Sequence, residues 1–366
     1  MTSNTIRSRF DAYLTSATPV LSYVVPTGTE ELLKTDNEYI IISQTLRGYC
    51  HLASRLPFDY SGKVLVPEEF KGVPLSRRAV SVSECGNGVA LLTVAPSYPP
   101  KWEFSTVDGK KNPIFSELKR LDSLTYRREN NVFALEEERL IKRAVEDGTD
   151  VKYIVHTAKS QLLSNGTIAL AKERRIPCLL ITEGLLGSVT QTRPVPQEMA
   201  LCTFPRFDLD TVSIHHKGVI LIADNVENPD NLGLVIRTAD ACGADAVISV
   251  GNTAVFNKNC IRAARGAIGR FPVLEYSVGE FSGVISKLKA LGYTVYGTSA
   301  RTDKTVRDIA SNGGRVFSVS NETNGISAHM AQAAHECLRI PMATGQSSLN
   351  VAVAAGIILS QAIRFE

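Results

Sequence analysis

The chain has 366 residues, of which 44% are hydrophobic and 21% are charged. An apolar fraction of this size excludes wholesale disorder, and the length suits two or three domains that each bury a core. Because 40 basic residues nearly balance 37 acidic ones, the net charge of +3 excludes a histone-like polycation. Any nucleic acid partner must therefore bind at local basic patches.

The cysteine and histidine patterns indicate neither a disulfide scaffold nor a metal site. The seven cysteines are scattered without a CxxC pair, which suits a reducing compartment, and the six histidines lack metal-ligand spacing. The most apolar stretch, 349–363, is interrupted by polar residues and is too short to span a membrane. We expect a cytoplasmic protein without metal or membrane partner. Arg7 and Arg9 keep an organellar alternative open, although Asp11 weakens that transit-peptide signal.

Residues 1–105 form the first predicted region, an accessory domain of mixed β structure. Short β-prone runs at 39–42, 80–83 and 89–94 are separated by glycine and proline. The proline-rich stretch 96–100 resembles a linker. No chemical motif occurs in this region, so its role stays open.

Residues 106–205 form the second predicted region, in which strands alternate with helices. An amphipathic helix near 114–121 carries basic residues and is followed by a strand at 133–135 and a helix at 137–147. The next predicted elements are a strand at 151–156, a helix at 161–173 and a strand at 177–181. This alternation is typical of a small α/β domain.

Residues 216–366 form the third predicted region, with longer and more apolar strands. The continuous apolar run 218–223 predicts a central parallel strand, and Asn228 with Pro229 predicts a helix start. Further strands are predicted at 246–250, 272–276, 294–296 and 316–319. Helices are predicted at 259–267, 281–291, 328–337 and across the apolar C-terminal stretch.

Three polar clusters follow apolar strands of the third region. They read NPDNLG with RTAD (228–240), SNETNGIS (320–327) and IPMATGQSSLNV (340–351). Ligands of open α/β sheets bind at such strand ends. The chain lacks GxGxxG, GxxxxGK[ST] and GxSxG, which argues against a dinucleotide fold, a P-loop NTPase and an α/β-hydrolase. Each cluster by itself could be a helix cap or a polar turn.

Together the three clusters resemble the signature motifs of the SpoU (TrmH-type) branch of the SPOUT RNA methyltransferases. The matches cover residues 228–243, 321–327 and 340–357, in the order of the family. The resemblance implies an α/β fold whose C-terminal part forms a trefoil knot, a rare exception to unknotted topology. It also implies a homodimer, which the apolar C-terminal helix favours.

The second region is similar to the L30e-like substrate-binding domain that often precedes this catalytic domain. The resemblance implies RNA binding there, although the family usually has glycine where Glu137 and Glu198 stand. Candidate RNA-binding residues are Lys119, Arg120, Arg127 and Arg128, with Arg262 in the third region. The alternative is that these basic side chains are exposed to solvent and do not bind RNA.

The resemblance implies that S-adenosylmethionine binds in the knot. Carried over, the cofactor-binding residues are Gly297, Thr298, Ser320, Asn321, Glu322, Ile340, Met342, Leu349 and Asn350. The family usually has glycine at position 320. A serine fits there if the backbone φ is ordinary, and a positive φ would disfavour it.

The reaction implied by the resemblance is methyl transfer to a ribose 2′-hydroxyl. Arg237 matches the catalytic arginine, and a guanidinium is a poor base, so it would polarise the hydroxyl and bind the adjacent phosphate. Asn231 would hold Arg237 or the ribose, and Glu322 would orient the site. Ser348 and Asn350 would complete the pocket. The family often has a serine where Ala264 stands.

Ribosomal RNA is the favoured substrate because the L30e-like domain resembles that of members that act on ribosomal RNA. A transfer-RNA ribose methyltransferase is an alternative. A non-catalytic RNA-binding or assembly protein is another alternative, which the changes at Ala264 and Ser320 allow. A base methyltransferase fits the motifs less well.

Overall fold

A computed structural model describes residues 106–363 with short gaps at 163–165, 191, 213–217, 252–254, 301, 310–312, 322–324 and 344–347. Before residue 106 it describes six strands only. The chain divides into two compact units, residues 1–205 and 206–366. The first unit contains two sheets, and the second contains one.

The first sheet comprises the six strands that precede residue 106. These are β1 (Leu21–Val24), β2 (Glu31–Lys34), β3 (Glu38–Ile42), β4 (Gly62–Pro67), β5 (Val80–Glu84) and β6 (Val89–Val94). Their order is β1-β2-β3-β4-β6-β5, and β3 and β4 are parallel. The three predicted β-prone runs fall in β3, β5 and β6.

The second sheet has the order β7-β10-β9-β11-β8. Its strands are β7 (Thr106–Val107), β8 (Val132–Leu135), β9 (Val151–His156), β10 (Cys178–Ile181) and β11 (Glu198–Thr203). Its helices are α1 (Pro113–Arg120), α2 (Leu124–Asn130), α3 (Glu138–Glu146), α4 (Ala158–Leu162), α5 (Thr167–Glu173) and α6 (Glu183–Gly187). Thus α2 lies where no helix was predicted, and the helix predicted over 161–173 is two separate helices.

The start of α1 follows from its sequence. The Asn112 side chain accepts a hydrogen bond from the Ile114 N–H at 2.9 Å, and Pro113 occupies the first helical turn. The apolar face of α1, with Ile114 and Leu118, packs into a core with Tyr153 of β9. This packing fixes α1 on one face of the second sheet.

The third sheet forms the second unit and is entirely parallel, with the order β14-β13-β12-β16-β15-β17. Its strands are β12 (Val219–Asp224), β13 (Ala246–Val250), β14 (Val273–Tyr276), β15 (Thr294–Thr298), β16 (Arg315–Ser320) and β17 (Glu336–Leu338). Every residue of β12 and β13 is buried, as the continuous apolar runs predict.

Six α-helices of the second unit are described. They are α7 (Leu209–Val212), α8 (Pro229–Ala241), α9 (Lys258–Ala263), α10 (Phe281–Ala290), α11 (Ala328–Ala333) and α12 (Val351–Ala362). Asn228 caps α8 by accepting from the Asp230 N–H at 2.8 Å. None of the helices described is long and apolar enough to cross a membrane.

The helix predicted over 328–337 is wrong in its second half, which contains β17. After α11 the backbone becomes extended at Ala334. The His335 N–H then donates to the Val295 carbonyl at 2.8 Å, and the Val295 N–H donates to His335 Nδ1 at 2.9 Å. This segment therefore pairs as a strand with the edge of β15, because buried backbone N–H and C=O groups without hydrogen bonds cost free energy. The helical periodicity of this segment cannot predict that it pairs with β15, which lies far away in sequence.

The chain after β17 returns from the edge of the sheet toward its middle. There α12 lies beside α8, where a Cβ on Gly356 would be 3.4 Å from Thr238 Cγ2. The N-terminus of α12 therefore reaches the N-terminus of α8, although their motifs are far apart in sequence.

Candidate active site

The carboxyl ends of four adjacent strands bring the motif segments to one edge of the third sheet. In the register of β12 and β16, Asp224 lies opposite Ser320, and in that of β15 and β17, Thr298 lies opposite Leu338. Ile340 follows two residues after Leu338. The segments around Thr298, Ser320 and Ile340 thus share the edge where open parallel sheets bind ligands.

Two candidate catalytic residues meet directly at the starts of α8 and α12. Asn350 Nδ2 donates a hydrogen bond to Asn231 Oδ1 at 3.0 Å, across 119 residues of sequence. Asn350 Oδ1 also accepts from the Ala352 N–H at 3.0 Å and so caps α12. The capping role and the contact between motifs therefore belong to the same side chain. Ser348, two residues earlier, is exposed.

Arg237 lies on a different face of α8 from Asn231. A separation of six positions corresponds to about 240° of net rotation, whereas Asp230 and Arg237, seven positions apart, share a face. Arg237 is exposed, and no hydrogen bond joins it to Asn231. The predicted contact of Asn231 with Arg237 is therefore not formed in this structure, and its contact with the ribose stays a prediction.

Arg262 approaches the same face of α8 from α9. Its guanidinium forms an exposed ion pair with Asp230 at 3.1 Å. Because Asp230 and Arg237 share a face, two candidate RNA contacts, Arg237 and Arg262, lie on the same side of α8. An ion pair this exposed stabilises little, so a phosphate can compete with Asp230 for the arginine.

The candidate cofactor residues are mostly half-buried, as expected for side chains that line a groove. This description applies to Thr298, Ser320, Asn321, Ile340, Met342 and Leu349. Gly297 is buried, and a Cβ on it would lie 3.0 Å from Cys337 Sγ and 3.2 Å from Ile326 Cδ1. A glycine at this position therefore permits close packing of β15 against β17 and the 320–327 loop.

The two departures from the family pattern both fit the fold. Ser320 ends β16 and is not among the described non-glycine residues with positive φ, so a serine is unstrained there. Ala264 is fully buried, and its backbone nitrogen would lie 3.0 Å from a Cβ on Gly233. Ala264 therefore belongs to the contact between α8 and α9, where its small side chain suits the close approach.

Glu322, predicted for both catalysis and cofactor binding, lies outside the described residues, as do residues 344–347 of the third motif. The described residues on either side of 322–324, Asn321 and Gly325, are joined by a hydrogen bond. The Gly325 N–H donates to the Asn321 carbonyl at 3.0 Å, and Gly325 has a φ of 66°, which favours glycine.

Asp224 at the end of β12 was missed by the sequence reasoning. It is buried, and its Oδ2 accepts a hydrogen bond from the Ser327 N–H at 2.7 Å. The sequence feature that could have identified it is an acidic residue at the end of an otherwise apolar strand, just before the first motif. A carboxylate at such a position needs a partner.

The basic residues of the second region have different surroundings. Lys119, Arg120 and Arg128 are exposed. The Arg120 guanidinium carbon lies 4.5 Å from the centre of the Tyr126 ring, a cation–π contact that leaves the charge near the surface. Lys119 Nζ donates to the Ser188 carbonyl at 3.2 Å.

The assignment of Arg127 to RNA binding is wrong for this fold. Its exposed fraction is 4%, and its guanidinium donates to the Leu121 carbonyl. Burial lowers the pKa of this guanidinium below its usual value. Arg127 therefore joins α2 to the end of α1, whereas its neighbour Arg128 points to solvent.

Metal ligands do not cluster in the part of the chain that is described. No group of three or more histidine, cysteine, aspartate or glutamate side chains is placed there to hold an ion.

Comparisons with known proteins identify the family. The model of the SpoU rRNA Methylase family matches residues 218–360. The 23S rRNA (guanosine(2553)-2′-O)-methyltransferase RlmP of Bacillus subtilis is 31% identical over 254 residues, which cover 69% of this chain and 97% of that protein. This chain belongs to the SpoU family. The family membership predicted from the three motifs is thereby confirmed.

Two solved methyltransferase structures agree with this assignment. An rRNA methyltransferase from Sinorhizobium meliloti is 26% identical, with a TM-score of 0.62 over 71% of this chain and 98% of that one. The SpoU methyltransferase AviRb from Streptomyces viridochromogenes, in complex with AdoMet, is 28% identical, with a TM-score of 0.61 over 69% and 97% of the two chains. The α/β fold class predicted from the motifs is confirmed.

Proposed function

We propose that this protein transfers a methyl group from S-adenosylmethionine to a ribose 2′-hydroxyl of ribosomal RNA. The observation that carries the proposal is the hydrogen bond between Asn231 and Asn350, which joins the first and third motifs beside the cofactor edge. The names of two relatives support the substrate class. RlmP is a 23S rRNA 2′-O-methyltransferase, as is a Streptomyces viridochromogenes relative that is 29% identical over 231 residues.

S-adenosylmethionine fits the residues at the carboxyl edge. Thr298, Ser320, Ile340 and Met342 follow or end three adjacent strands and are half-buried, so they can line a ligand without filling its space. When bound, S-adenosylmethionine supplies a methyl group that its sulfonium has already activated. The protein then has to orient the acceptor hydroxyl and assist its deprotonation.

The roles of the remaining side chains follow from their chemistry. The Arg237 guanidinium stays charged and polarises the hydroxyl while binding the neighbouring phosphate, which can help to accept the proton. Asn231 accepts from Asn350 through its amide oxygen, so its amide nitrogen can donate to the ribose. Ser348 adds an exposed hydroxyl, and Glu322 orients the site from the second motif.

We propose RNA contacts on each unit separately: Lys119, Arg120 and Arg128 on the first unit, and Arg262 on the second. These side chains are exposed, and basic side chains bind phosphates with release of counterions. A ribosomal substrate places the protein in a compartment that holds ribosomes. This is the cytoplasm in our expectation, with an organelle as the alternative.

We also propose a homodimer that forms through α8 and α12. Leu234 is 37% exposed and Val353 is 52% exposed. Each lies about one turn before the contact of Thr238 with Gly356, so the two apolar side chains flank the same helix pair. Arg237 shares a side of α8 with Leu234, which brings the partner subunit close to the active site. Light scattering should give twice the chain mass, and Leu234→Asp with Val353→Asp should shift the protein to monomer.

The test of the reaction uses purified protein, labelled S-adenosylmethionine and unmodified ribosomal or transfer RNA, followed by mapping of ribose methylation. We expect label at a ribose 2′-oxygen of ribosomal RNA. Label found only in transfer RNA would show that transfer RNA is the substrate. Label found on a base would show that the protein is a base methyltransferase. Calorimetry without binding of S-adenosylmethionine would indicate a non-catalytic RNA-binding or assembly protein.

A further inference from the structure

Asp224 is a buried acidic residue in the centre of the third sheet. It ends β12, whose other five residues are apolar and buried, and its own exposed fraction is 2%. Burial of a carboxylate is costly unless hydrogen bonds compensate for the lost hydration. The contacts of Asp224 therefore show what it stabilises.

One partner of Asp224 lies at the end of the second motif. The Ser327 N–H donates to Asp224 Oδ2 at 2.7 Å, across 103 residues of sequence. Ser327 is also the N-cap of α11, because its hydroxyl accepts from the Met330 N–H at 3.1 Å. Met330 is fully buried, so this cap is anchored in the core. Asp224 thus holds the point where the 320–327 loop becomes helix.

The start of the same loop also lies beside Asp224. Ser320 is its register partner on β16, and the hydrogen bond from Gly325 to the Asn321 carbonyl closes the turn that follows. Ile326, next to Ser327, packs against Gly297 at the cofactor edge. Asp224 thus lies beside Ser320 at one end of the second motif and accepts a hydrogen bond from Ser327 at the other end.

We infer that Asp224 is a positioning residue that holds Ser327, and with it Ile326 beside Gly297, in the arrangement that binds S-adenosylmethionine. This inference rests on the proposed function. Asp224 acts through the Ser327 N–H and needs no contact with the cofactor. A charged acceptor makes a stronger hydrogen bond to a backbone N–H than a neutral one, which explains why an aspartate serves here.

Asp245 provides a matched control at the opposite edge of the same strand. Its Oδ2 accepts from the Val219 N–H, the first residue of β12, at 2.6 Å. Both carboxylates thus accept one hydrogen bond from a backbone N–H, one at each end of β12. Only Asp224 is connected to the 320–327 loop. Loss of either contact lowers stability, and loss of Asp224 alone disturbs the cofactor edge.

The experiment compares Asp224→Ala, Asp224→Asn and Asp245→Ala in the full chain. Calorimetry measures the affinity for S-adenosylmethionine, and hydrogen exchange without cofactor measures protection of the Ser327 and Met330 amides. For Asp224→Ala we expect affinity to fall about tenfold or more, because a hydrogen bond to a charged group is lost, and we expect both amides to exchange faster. Asp224→Asn should lose less, because its amide oxygen can still accept. Asp245→Ala should keep affinity within about twofold of wild type.

The outcomes separate this inference from the proposed function. Unchanged affinity and unchanged exchange in Asp224→Ala would overturn the inference, as would an equal loss of affinity in Asp245→Ala. If Asp224→Ala does not fold, Asp224→Asn decides, since wild-type affinity and exchange in that variant would reject a need for the charge. A wild-type chain that binds no S-adenosylmethionine overturns the proposed function, and the exchange rates still show whether Asp224 holds Ser327.

Discussion

Arg237 carries a guanidinium group at an exposed position on α8. It lies on the side of α8 where Arg262 pairs with Asp230. Its removal should therefore affect the chemistry of the acceptor and leave the cofactor site intact.

We expect Arg237→Ala to lower methyl transfer by about 10²-fold or more, because the charge that stabilises the developing alkoxide is lost. Unfolding temperature and affinity for S-adenosylmethionine should match the wild type. Lys289→Ala, which removes an exposed charge on α10, is the control and should retain full activity. Methyl incorporation into RNA measures both variants, and near-normal turnover of Arg237→Ala would reject its catalytic role.

Glu198 occupies a position where the family usually has glycine, and the fold buries it. Its Oε1 accepts from the Ser160 hydroxyl, and its Oε2 has no hydrogen-bond partner in the described part of the chain. Burial raises the pKa of this carboxyl, and the hydrogen bond from Ser160 opposes the shift. The folded protein therefore binds this proton more tightly than the unfolded chain does.

It follows that the Glu198 contribution to stability is largest at low pH. That contribution is lost as pH rises from the ordinary glutamate pKa through the raised folded-state pKa. Glu198→Gln removes the charge and keeps an oxygen for Ser160, so it should raise the unfolding temperature by about 2–4 °C at pH 8 and by less at pH 4. Glu129→Gln, an exposed change on α2, should have no effect at either pH. An equal effect of Glu198→Gln at both pH values would contradict this explanation.

At the scale of elements, the contact between α8 and α9 depends on a single glycine. A Cβ on Gly233 would lie 2.4 Å from the Cys260 carbonyl oxygen and 2.7 Å from Ala263 Cβ. These distances are too short for any side chain, so the two helices can approach this closely only with glycine. The approach brings Arg262 to Asp230 and therefore to the same side of α8 as Arg237.

Gly233→Ala should lower the free energy of unfolding by about 1–3 kcal/mol, since the helices must separate to accommodate the methyl group. Gly283→Ala is the control, because this glycine also lies within a helix, α10, and a Cβ there would have no atom within 4 Å. The control should increase stability by about 0.5–1 kcal/mol through the higher helix propensity of alanine. Urea unfolding measures both changes. Equal effects would show that the α8–α9 contact has room for a methyl group.

At the scale of the whole molecule, the second unit has its own sheet, helices and core, so it should fold alone. The proposed RNA contacts Lys119, Arg120 and Arg128 lie in the first unit. Under the proposed function, this division separates three of the four proposed RNA contacts from the residues proposed to transfer the methyl group.

A chain of residues 206–366 should therefore bind S-adenosylmethionine but methylate RNA poorly. RNA affinity measured across a salt series should show a shallower slope for this chain, because each lost phosphate contact removes about 0.7–0.9 from the slope. Arg120→Glu with Arg128→Glu in the full chain should have a similar, smaller effect, and Lys289→Glu serves as the control. Equal slopes and affinities for the full and shortened chains would place the RNA site on the second unit.

How much of the fold and of the site can be predicted from sequence depends on how far apart the interacting residues are along the chain. The apolar runs of β12 and β13 and the start of α8 at Asn228 depend on neighbours in the chain, so their pattern predicts them. The three motifs are also local in sequence and were sufficient to predict the family. The resemblance to that family in turn implied the cofactor and the reaction.

Tertiary structure decided which residues meet. Arg127 and Arg128 are adjacent residues of the same type, but Arg127 is buried against the end of α1 and Arg128 is exposed. The contact of Asn350 with Asn231 and that of Asp224 with Ser327 each span more than 100 residues, and β17 exists because β15 offers an unpaired edge. The hydrophobic periodicity of a helix or strand predicts which of its sides is buried. It does not predict which other element packs against that side. Partners are set by packing across the whole sheet.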